Sequence, residues 1–449
     1  MTKNVRITMI GTGYVGLVSG VCFAALGHLV TCIDKDKNKI SKLQNAEIPI
    51  YEATLKELVD ENLANQRLFF NTELKSAVES AEVIFVAVGT PTCVVTGKAD
   101  LQYVEGLARE LAPLLTAYKV IVLKSTVPIG TGQQFKKIIQ TINPQAKFDM
   151  VSNPEFLREG SAVTDFMDPD RIVIGSETDR SQNLMKAIYY PFLQKQIPIL
   201  YTDIESSELI KYAANCFLAT KIAFINEVAD LCEKTGANIE NVIQGLGLDK
   251  RIGAGYLQPG PGFGGSCFPK DTLALIQIAE ELACPLSVVE AVVQSNEHRK
   301  KKMIQKIVNI CGGDVTGKRL GILGVAFKAN TDDIRESSAM VIIQGLQKLG
   351  AKLRVYDPAA MEKAATELPG VDWAHSAVEV MRDAEVLVII TEWEEFKNLK
   401  FNNLDKKPII IDLRNLYDLQ EMKKMRVSYH SIGRPAVKSQ AQVQVLMED

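Results

Sequence analysis

The chain has 449 residues, too many for one ordinary hydrophobic core, so two or three domains are expected. Its 47% hydrophobic and 23% charged content is that of a globular protein, and a formal net charge of -3 argues against a general nucleic-acid-binding surface. The eight cysteines, at 22, 32, 93, 216, 232, 267, 284 and 311, include no C-x-x-C pair and no zinc-ligand spacing. They read as reduced cytosolic thiols, mostly core filler, and no motif calls for a metal.

From Ile7 to Ile33 there is no Lys, Arg, Asp or Glu, and Lys3 and Arg6 precede the run as in a signal peptide. Glycines at 11, 13, 16, 20 and 27 divide it into two short β-rich pieces around a helical one, so no membrane or targeting segment is expected. "VRITMI" (5–10) predicts a strand, and "GTGYVG" follows at once. Gly11 permits a tight turn, Gly13 lets backbone approach a pyrophosphate, and Gly16 allows close helix–strand packing. Tyr14 and Val15 stand between the last two glycines and are counted with them as cofactor contacts. A second strand, "HLVTCID", ends at Asp34, whose carboxylate would accept from ribose hydroxyls and repel a 2′-phosphate. The unit predicts dinucleotide binding, with NAD preferred to NADP.

Strand-like runs recur at "VIFVAVGTPT" (83–92) and "VIVLKSTVP" (120–128), with helical patterns between them, as in an open parallel sheet. Thr90 and Thr126 lie at strand ends, where ligands gather; capping of the next helix is the competing reading. The stretch from about 201 to 300 is helical, and residues 206–237 read as one helix long enough for self-association. Lys211 and Asn215 share one face of it. The pattern alone places both at the surface, with the lysine snorkelling to solvent.

The segment "GPGFGGSCFPKD" (260–271) sets Cys267 among four glycines and two prolines, with Lys270 and Asp271 following. A thiol is unnecessary for oxidising an alcohol once. It becomes useful when the aldehyde is oxidised again, because thiolate addition gives a thiohemiacetal that can become a thioester and be hydrolysed. A neighbouring lysine would favour the thiolate and stabilise an oxyanion, and an aspartate could orient water.

Later segments echo the opening. "KRLGILGVAFK" (318–328) parallels the first strand and turn, "LRVYDP" (353–358) parallels the second strand, and "AVEVMRDAEVLVII" (377–390) resembles "AVESAEVIFVAV" (77–88). A second Rossmann-like unit is expected, binding a nucleotide other than NAD, because its turn lacks the third glycine and carries Phe327 and Lys328. The fold class is therefore α/β. It has two Rossmann-like parallel-sheet domains, 1–200 and 301–449, joined by a helical domain over 201–300.

Seven motifs in order, "GTGYVG", "VGTPT", "STVP", "NPEFLREG", "KYAANCFLATKIAFINE", "GPGFGGSCFPKD" and "GVAFKANTDDIRESS", resemble the UDP-glucose 6-dehydrogenase family of nucleotide-sugar dehydrogenases over essentially the whole chain. The resemblance implies four-electron oxidation of a UDP-sugar at C6, with NAD on the N-terminal domain and UDP on the C-terminal one. Carried over by motif position, Cys267 is the nucleophile, Lys211 and Asn215 stabilise the oxyanion, and Asp271 with Lys211 handles protons and water. Glu155 works with Thr126 and a water near the reacting carbon. Glu159, Lys39, Lys270, Thr90 and Arg335 resemble cofactor contacts. Phe156, Leu157, Tyr256, Gln258, Gly260, Phe263, Gly264, Phe327, Lys328 and, more weakly, Arg414 match substrate positions. Arg251 resembles an arginine reaching a neighbouring subunit, which implies an oligomer, expected to be a homodimer in the cytoplasm.

"YLQPGPG" departs from the family's usual "FLNPGPG" at Tyr256 and Gln258, which puts fine substrate preference in question. Ser266, in "GGSC", favours glucose over acetamido sugars, whose enzymes typically carry "GGHC". A GDP-mannose dehydrogenase shares "GGSC" and is the nearest competitor, with "GPGF" tilting the reading to glucose. A non-catalytic NAD-binding regulator is the rival from another class; Lys211, Asn215, Cys267 and Asp271 together argue against it.

Overall fold

Apolar runs of four or five residues build both sheets. The computed structural model describes residues 4–91, 98–401, 404 and 407–438, so Thr92 and Cys93 lie outside it. The first sheet comprises β1 (Arg6–Ile10), β2 (Leu29–Ile33), β3 (Leu68–Asn71), β4 (Val83–Val86), β5 (Lys119–Leu123), β6 (Phe148–Ser152), β7 (Ile172–Ser176) and β8 (Ile199–Thr202). Their order is β3-β2-β1-β4-β5-β6-β7-β8. Side chains alternate between two buried faces: Val83 and Phe85 pack with Ile7 and Met9, whereas Ile84 and Val86 pack with Ile10. With both faces covered, these strands read as continuous apolar runs.

The second sheet comprises β9 (Arg319–Leu323), β10 (Lys352–Tyr356), β11 (Asp372–Trp373), β12 (Val386–Ile389), β13 (Ile409–Asp412) and β14 (Tyr429–His430). Its order, β11-β10-β9-β12-β13-β14, repeats that of the first six strands, as the sequence echoes require. All its pairs are parallel. One feature departs from the expected open parallel sheet: β7 runs antiparallel to β6, and β8 then pairs parallel with β7.

Two compact units emerge, residues 1–214 with 273–283, and residues 215–272 with 284–449. A single long helix, Ile204–Thr235, contributes to both, close to its expected span. It stops where Gly236 takes φ +79 and its N–H bonds the Cys232 carbonyl, a left-handed ending that glycine adopts without strain. Among the described residues no helix is long and apolar enough to cross a membrane.

Candidate active site

The turn after β1 is shaped for a dinucleotide. Gly11 has φ +98, and a Cβ there would lie 2.5 Å from the Ala87 carbonyl oxygen; a Cβ on Gly16 would lie 1.9 Å from that of Gly11. Gly13 has nothing within 4 Å, so its open side is available to a ligand. Helix α1 (Tyr14–Ala25) starts at once, with half-buried Val15 in its first turn and no side chain capping its N-terminus, which leaves backbone N–H groups for phosphate. Asp34 Oδ2 accepts from the Thr12 N–H (3.0 Å), the Thr12 hydroxyl (2.6 Å) and the Lys39 ammonium (3.0 Å). Its Oδ1 takes one bond, from the Asp36 N–H, and keeps capacity for a ribose hydroxyl. Burial pushes the Asp34 carboxyl up, yet the bonds from Thr12, Asp36 and Lys39 outweigh it and hold the group at about 2. A bare helix N-terminus beside an ionised acid fits NAD.

In the same unit, the Thr90 hydroxyl donates to the Thr126 carbonyl at 2.9 Å. The next helices begin after Leu101 and Gly130 without a side-chain cap, so neither threonine caps a helix. The surface reading of Lys211 and Asn215 is corrected: they are 3% and 5% exposed. Helical spacing shows which residues share a face, but not what covers it. Lys211 Nζ pairs with Glu155 Oε1 at 3.1 Å and stands 5.2 Å from the Phe156 ring centre, whose ring also carries the Arg171 guanidinium. Glu155 Oε2 accepts from the Leu157 N–H, turning the "NPEFLREG" loop around the carboxylate. Glu159 is half-buried farther along that loop.

In the other unit the glycine-rich loop is built by close approach. A Cβ on Gly264 would lie 2.3 Å from the Glu336 carbonyl oxygen, and one on Gly265, at φ +86, 2.7 Å from the Phe327 ring. Gly260 lies under the Arg414 guanidinium, whose Nη2 donates to the Phe327 carbonyl. Cys267 ends the loop, half-buried, with Ser266 Oγ 3.6 Å from its sulfur. The helix Phe268–Glu281 begins at the next residue, and the Asp271 N–H donates to the Cys267 carbonyl at 2.8 Å. Asp271 is 1% exposed; its Oδ2 accepts from Asn215 Nδ2 and its Oδ1 from Lys270 Nζ, both at 2.6 Å. Burial and the Asp271 charge push the nearby Cys216 thiol up to about 12, so that cysteine is inert filler. Lys270 is therefore tied to Asp271, Arg335 is held by Asp333, and Arg251 is exposed on Asp249. Gln258 is exposed, Tyr256 packs its ring 6.0 Å from that of Phe268, and Phe263 is buried 6.1 Å from the same ring. Lys328 lies over Phe327.

Three family models match in order: the NAD binding domain of the UDP-glucose/GDP-mannose dehydrogenase family over residues 5–193, its central domain over 205–298, and its UDP binding domain over 321–419. A curated UDP-glucose 6-dehydrogenase of Rhizobium meliloti is 51% identical over 96% of this chain and 100% of its own length. The chain belongs to the UDP-glucose/GDP-mannose dehydrogenase family. Another relative, a UDP-glucose 6-dehydrogenase of Bacillus subtilis, is 47% identical over 96% of this chain and 94% of its own. Among solved structures, a UDP-glucose dehydrogenase from Pyrobaculum islandicum superposes with TM-score 0.89 at 37% identity, covering 97% of this chain and 99% of that one.

This member of the family also relies on side chains that motif reading passed over. Asn226 and Asn296 bond the backbone of Gly260 and Phe263, and Arg299 Nε donates to the Gly260 carbonyl. All three are about 5% exposed or less, and they hold the cysteine loop from two helices. Lys124, just after β5, is 3% exposed and donates to Asn153 Oδ1 and the Asn153 carbonyl, and it lines one small cavity with Glu155, Phe156 and Tyr189. Burial lowers its ammonium to about 8, with the Glu155 charge opposing and Lys211 adding to the fall. An ionisable residue in an otherwise apolar strand end was the available signal.

Proposed function

We propose that the chain oxidises UDP-glucose at C6 to UDP-glucuronate through a covalent intermediate on Cys267. The observation that carries the reading is the buried Asn215–Asp271 bond, 2.6 Å long, on the first turn after Cys267. A buried carboxylate one helical turn after a half-buried cysteine has a chemical purpose more readily than a structural one. Bound NAD supplies the hydride acceptor for both oxidations. Gly11, Gly13, Gly16 and Asp34 hold it, with Glu159 and Arg335 as further contacts. Lys211, paired with Glu155, stabilises the C6 oxyanion as the hydroxyl passes its proton to water. The Cys267 sulfur, at the N-terminus of the helix that follows, adds as thiolate to the resulting carbonyl. Asn215 and Lys211, one turn apart on one helix, donate to the thiohemiacetal oxygen, whose oxidation leaves a thioester. Asp271 orients the water that hydrolyses it and releases the thiolate, while Glu155 and Thr126 hold a further water near C6.

Phe263, Gly264, Phe327, Lys328 and Arg414 form the nucleotide-sugar contacts of this reading, on the proposed UDP domain (301–449) and the loop that packs on it. The proposed NAD domain is 1–200, and the helical domain between them is the site of self-association. Phe217, Phe224 and Leu231 recur every seven residues on the long helix, 54% to 66% exposed, an apolar stripe that supports a homodimer. Phe224→Glu is expected to halve the mass measured by light scattering; an unchanged mass removes this interface. Nucleotide-linked substrates and seven free cysteines among the described residues support a cytoplasmic location.

The test is NADH formed per UDP-glucose consumed, for wild type and Cys267→Ser. Two per sugar, lost or stalled in the variant, is expected. One per sugar, or an unaffected variant, overturns the thioester route. Turnover of GDP-mannose in place of UDP-glucose would reassign the substrate.

A further inference from the structure

The loop that joins the second and third helices of the chain, residues 45–54, carries none of the residues assigned above, yet one of its carboxylates reaches the NAD side of the site. Glu52 is half-buried, and its two oxygens take donors from two separate segments. The hydroxyl of Tyr14, first residue of α1, donates to Oε2. The Gly160 N–H lies 2.9 Å from the same oxygen and 2.7 Å from Tyr14 Oη, which closes a triangle of hydrogen bonds. The Val163 N–H lies 3.4 Å from Oε1.

These partners are far apart in sequence and close to both ends of the cofactor's work. Tyr14 belongs to the turn whose uncapped backbone N–H groups are assigned above to the cofactor's phosphates. Gly160 directly follows Glu159 and ends the loop that begins with Glu155. Glu159 is near enough to act on the Tyr14 phenol electrostatically. Burial raises that phenol's proton affinity and the Glu52 bond raises it further, so Tyr14 remains the donor of the triangle.

We propose that Glu52 is a positioning residue that couples the dinucleotide turn to the reactive loop, by holding Gly160 against Tyr14 so that NAD docking at α1 also fixes Glu155 and Glu159. The proposal rests on the NAD-dependent reading above. Coupling of this kind is reciprocal: a loop ordered by NAD must in turn tighten NAD binding. Without the carboxylate, the two segments lose their shared acceptor and keep the Gly160–Tyr14 bond.

The test is hydrogen exchange of the full chain with and without NAD, combined with calorimetric NAD binding, for wild type, Glu52→Ala and Glu52→Gln. In wild type, NAD is expected to protect both 11–17 and 155–163. In Glu52→Ala, affinity should fall roughly tenfold, and saturating NAD should protect 11–17 alone. Glu52→Gln keeps an acceptor oxygen and should recover most of the protection. In steady state, kcat and KM for NAD should change in the alanine variant while KM for UDP-glucose does not. A merely structural role would lower the melting temperature and leave the NAD-induced difference intact; that result overturns the proposal. So does a wild type whose 155–163 segment NAD leaves unprotected. Should Glu52→Ala fail to fold, Tyr14→Phe cuts the triangle from its other side, with the same loss expected and the same intact difference overturning the proposal. A wild type that binds NAD and shows the coupling, yet oxidises no UDP-glucose, would refute the functional reading while leaving the coupling standing.

Discussion

The two Rossmann-like turns start alike and end differently. Gly11 and Gly324 both sit at positive φ, +98 and +95, each pressed against the segment that follows the fourth strand of its sheet, at Ala87 and Thr391. Each donates its N–H to the last residue of the neighbouring strand, Ile33 or Tyr356, at 2.8 and 2.9 Å. Beyond that point they diverge. In the first, α1 begins at Tyr14 and presents an uncapped N-terminus. In the second, the helix begins only at Ser338, and Ser337 both caps it and donates to the Val325 carbonyl. Asp34 keeps capacity on Oδ1, whereas Asp357 is 0% exposed and accepts from Val325, Ala326, Ala359 and Ala360 N–H groups and from Trp393 Nε1. The same acid at the same strand end thus keeps one oxygen with spare capacity in the first unit and is wholly enclosed by protein donors in the second. The repeated scaffold leaves the helix N-terminus uncapped in the first unit and closes it with Ser337 in the second.

The comparison can be broken hardest at its shared glycines. Gly11→Ala and Gly324→Ala each force a Cβ within 2.5 Å of neighbouring atoms at positive φ, and each should cost about 3 kcal/mol or more in urea unfolding. A cost confined to one of them would show the turns are not equivalent. Next come the acids. Asp357→Asn replaces acceptors for five donors with an amide that cannot match them, and should cost on the order of 3 kcal/mol, whereas Asp34→Asn should cost under about 1 kcal/mol and instead weaken NAD binding and its preference over NADP. Equal destabilisation by both would contradict the contrast.

A third test exchanges a residue between the sheets. Lys124 and Leu413 occupy matching places after β5 and β13, each donating its N–H to the last residue of the adjacent strand at 2.9 Å. The Lys124 ammonium falls from 10.5 to about 8, so the unfolded chain binds more protons across that interval and wild-type stability should rise with pH there. Lys124→Leu should therefore gain up to about 3 kcal/mol at pH 7, a gain that fades as pH climbs through the same interval. A gain independent of pH would show that folding leaves the lysine's proton affinity unchanged. The smallest structural effect is expected at Gly13, where nothing lies within 4 Å: Gly13→Ala should leave the melting temperature within a degree or two while weakening NAD binding about tenfold. Unchanged affinity would place the phosphates elsewhere.

Much of this was legible in the residues. The G-x-G-x-x-G turn with Asp34, the echo of it near 320, and the loop around Cys267 are local patterns, and each lies on the element its spacing implied. The chemistry around them was less so. Lys211 and Asn215 looked superficial because helical periodicity defines a face without naming its cover. Glu52 and Asn296 lie outside every motif, Asn226 drew no role within its own, and Lys124 showed only as a charge at an apolar strand end, because their partners lie tens to over a hundred residues away.

By itself, then, the sequence determined the fold class and the glycine-rich turn that opens the NAD binding domain. Those depend on backbone permissions and strand and helix periods that operate within a few residues. Only the tertiary structure decided that β7 turns antiparallel, that Asp357 is closed off by Trp393, and that Asp271 meets Asn215 across 56 residues. Such outcomes rest on which buried polar groups find partners once the chain has packed, and a buried group must be satisfied by whatever the fold brings to it.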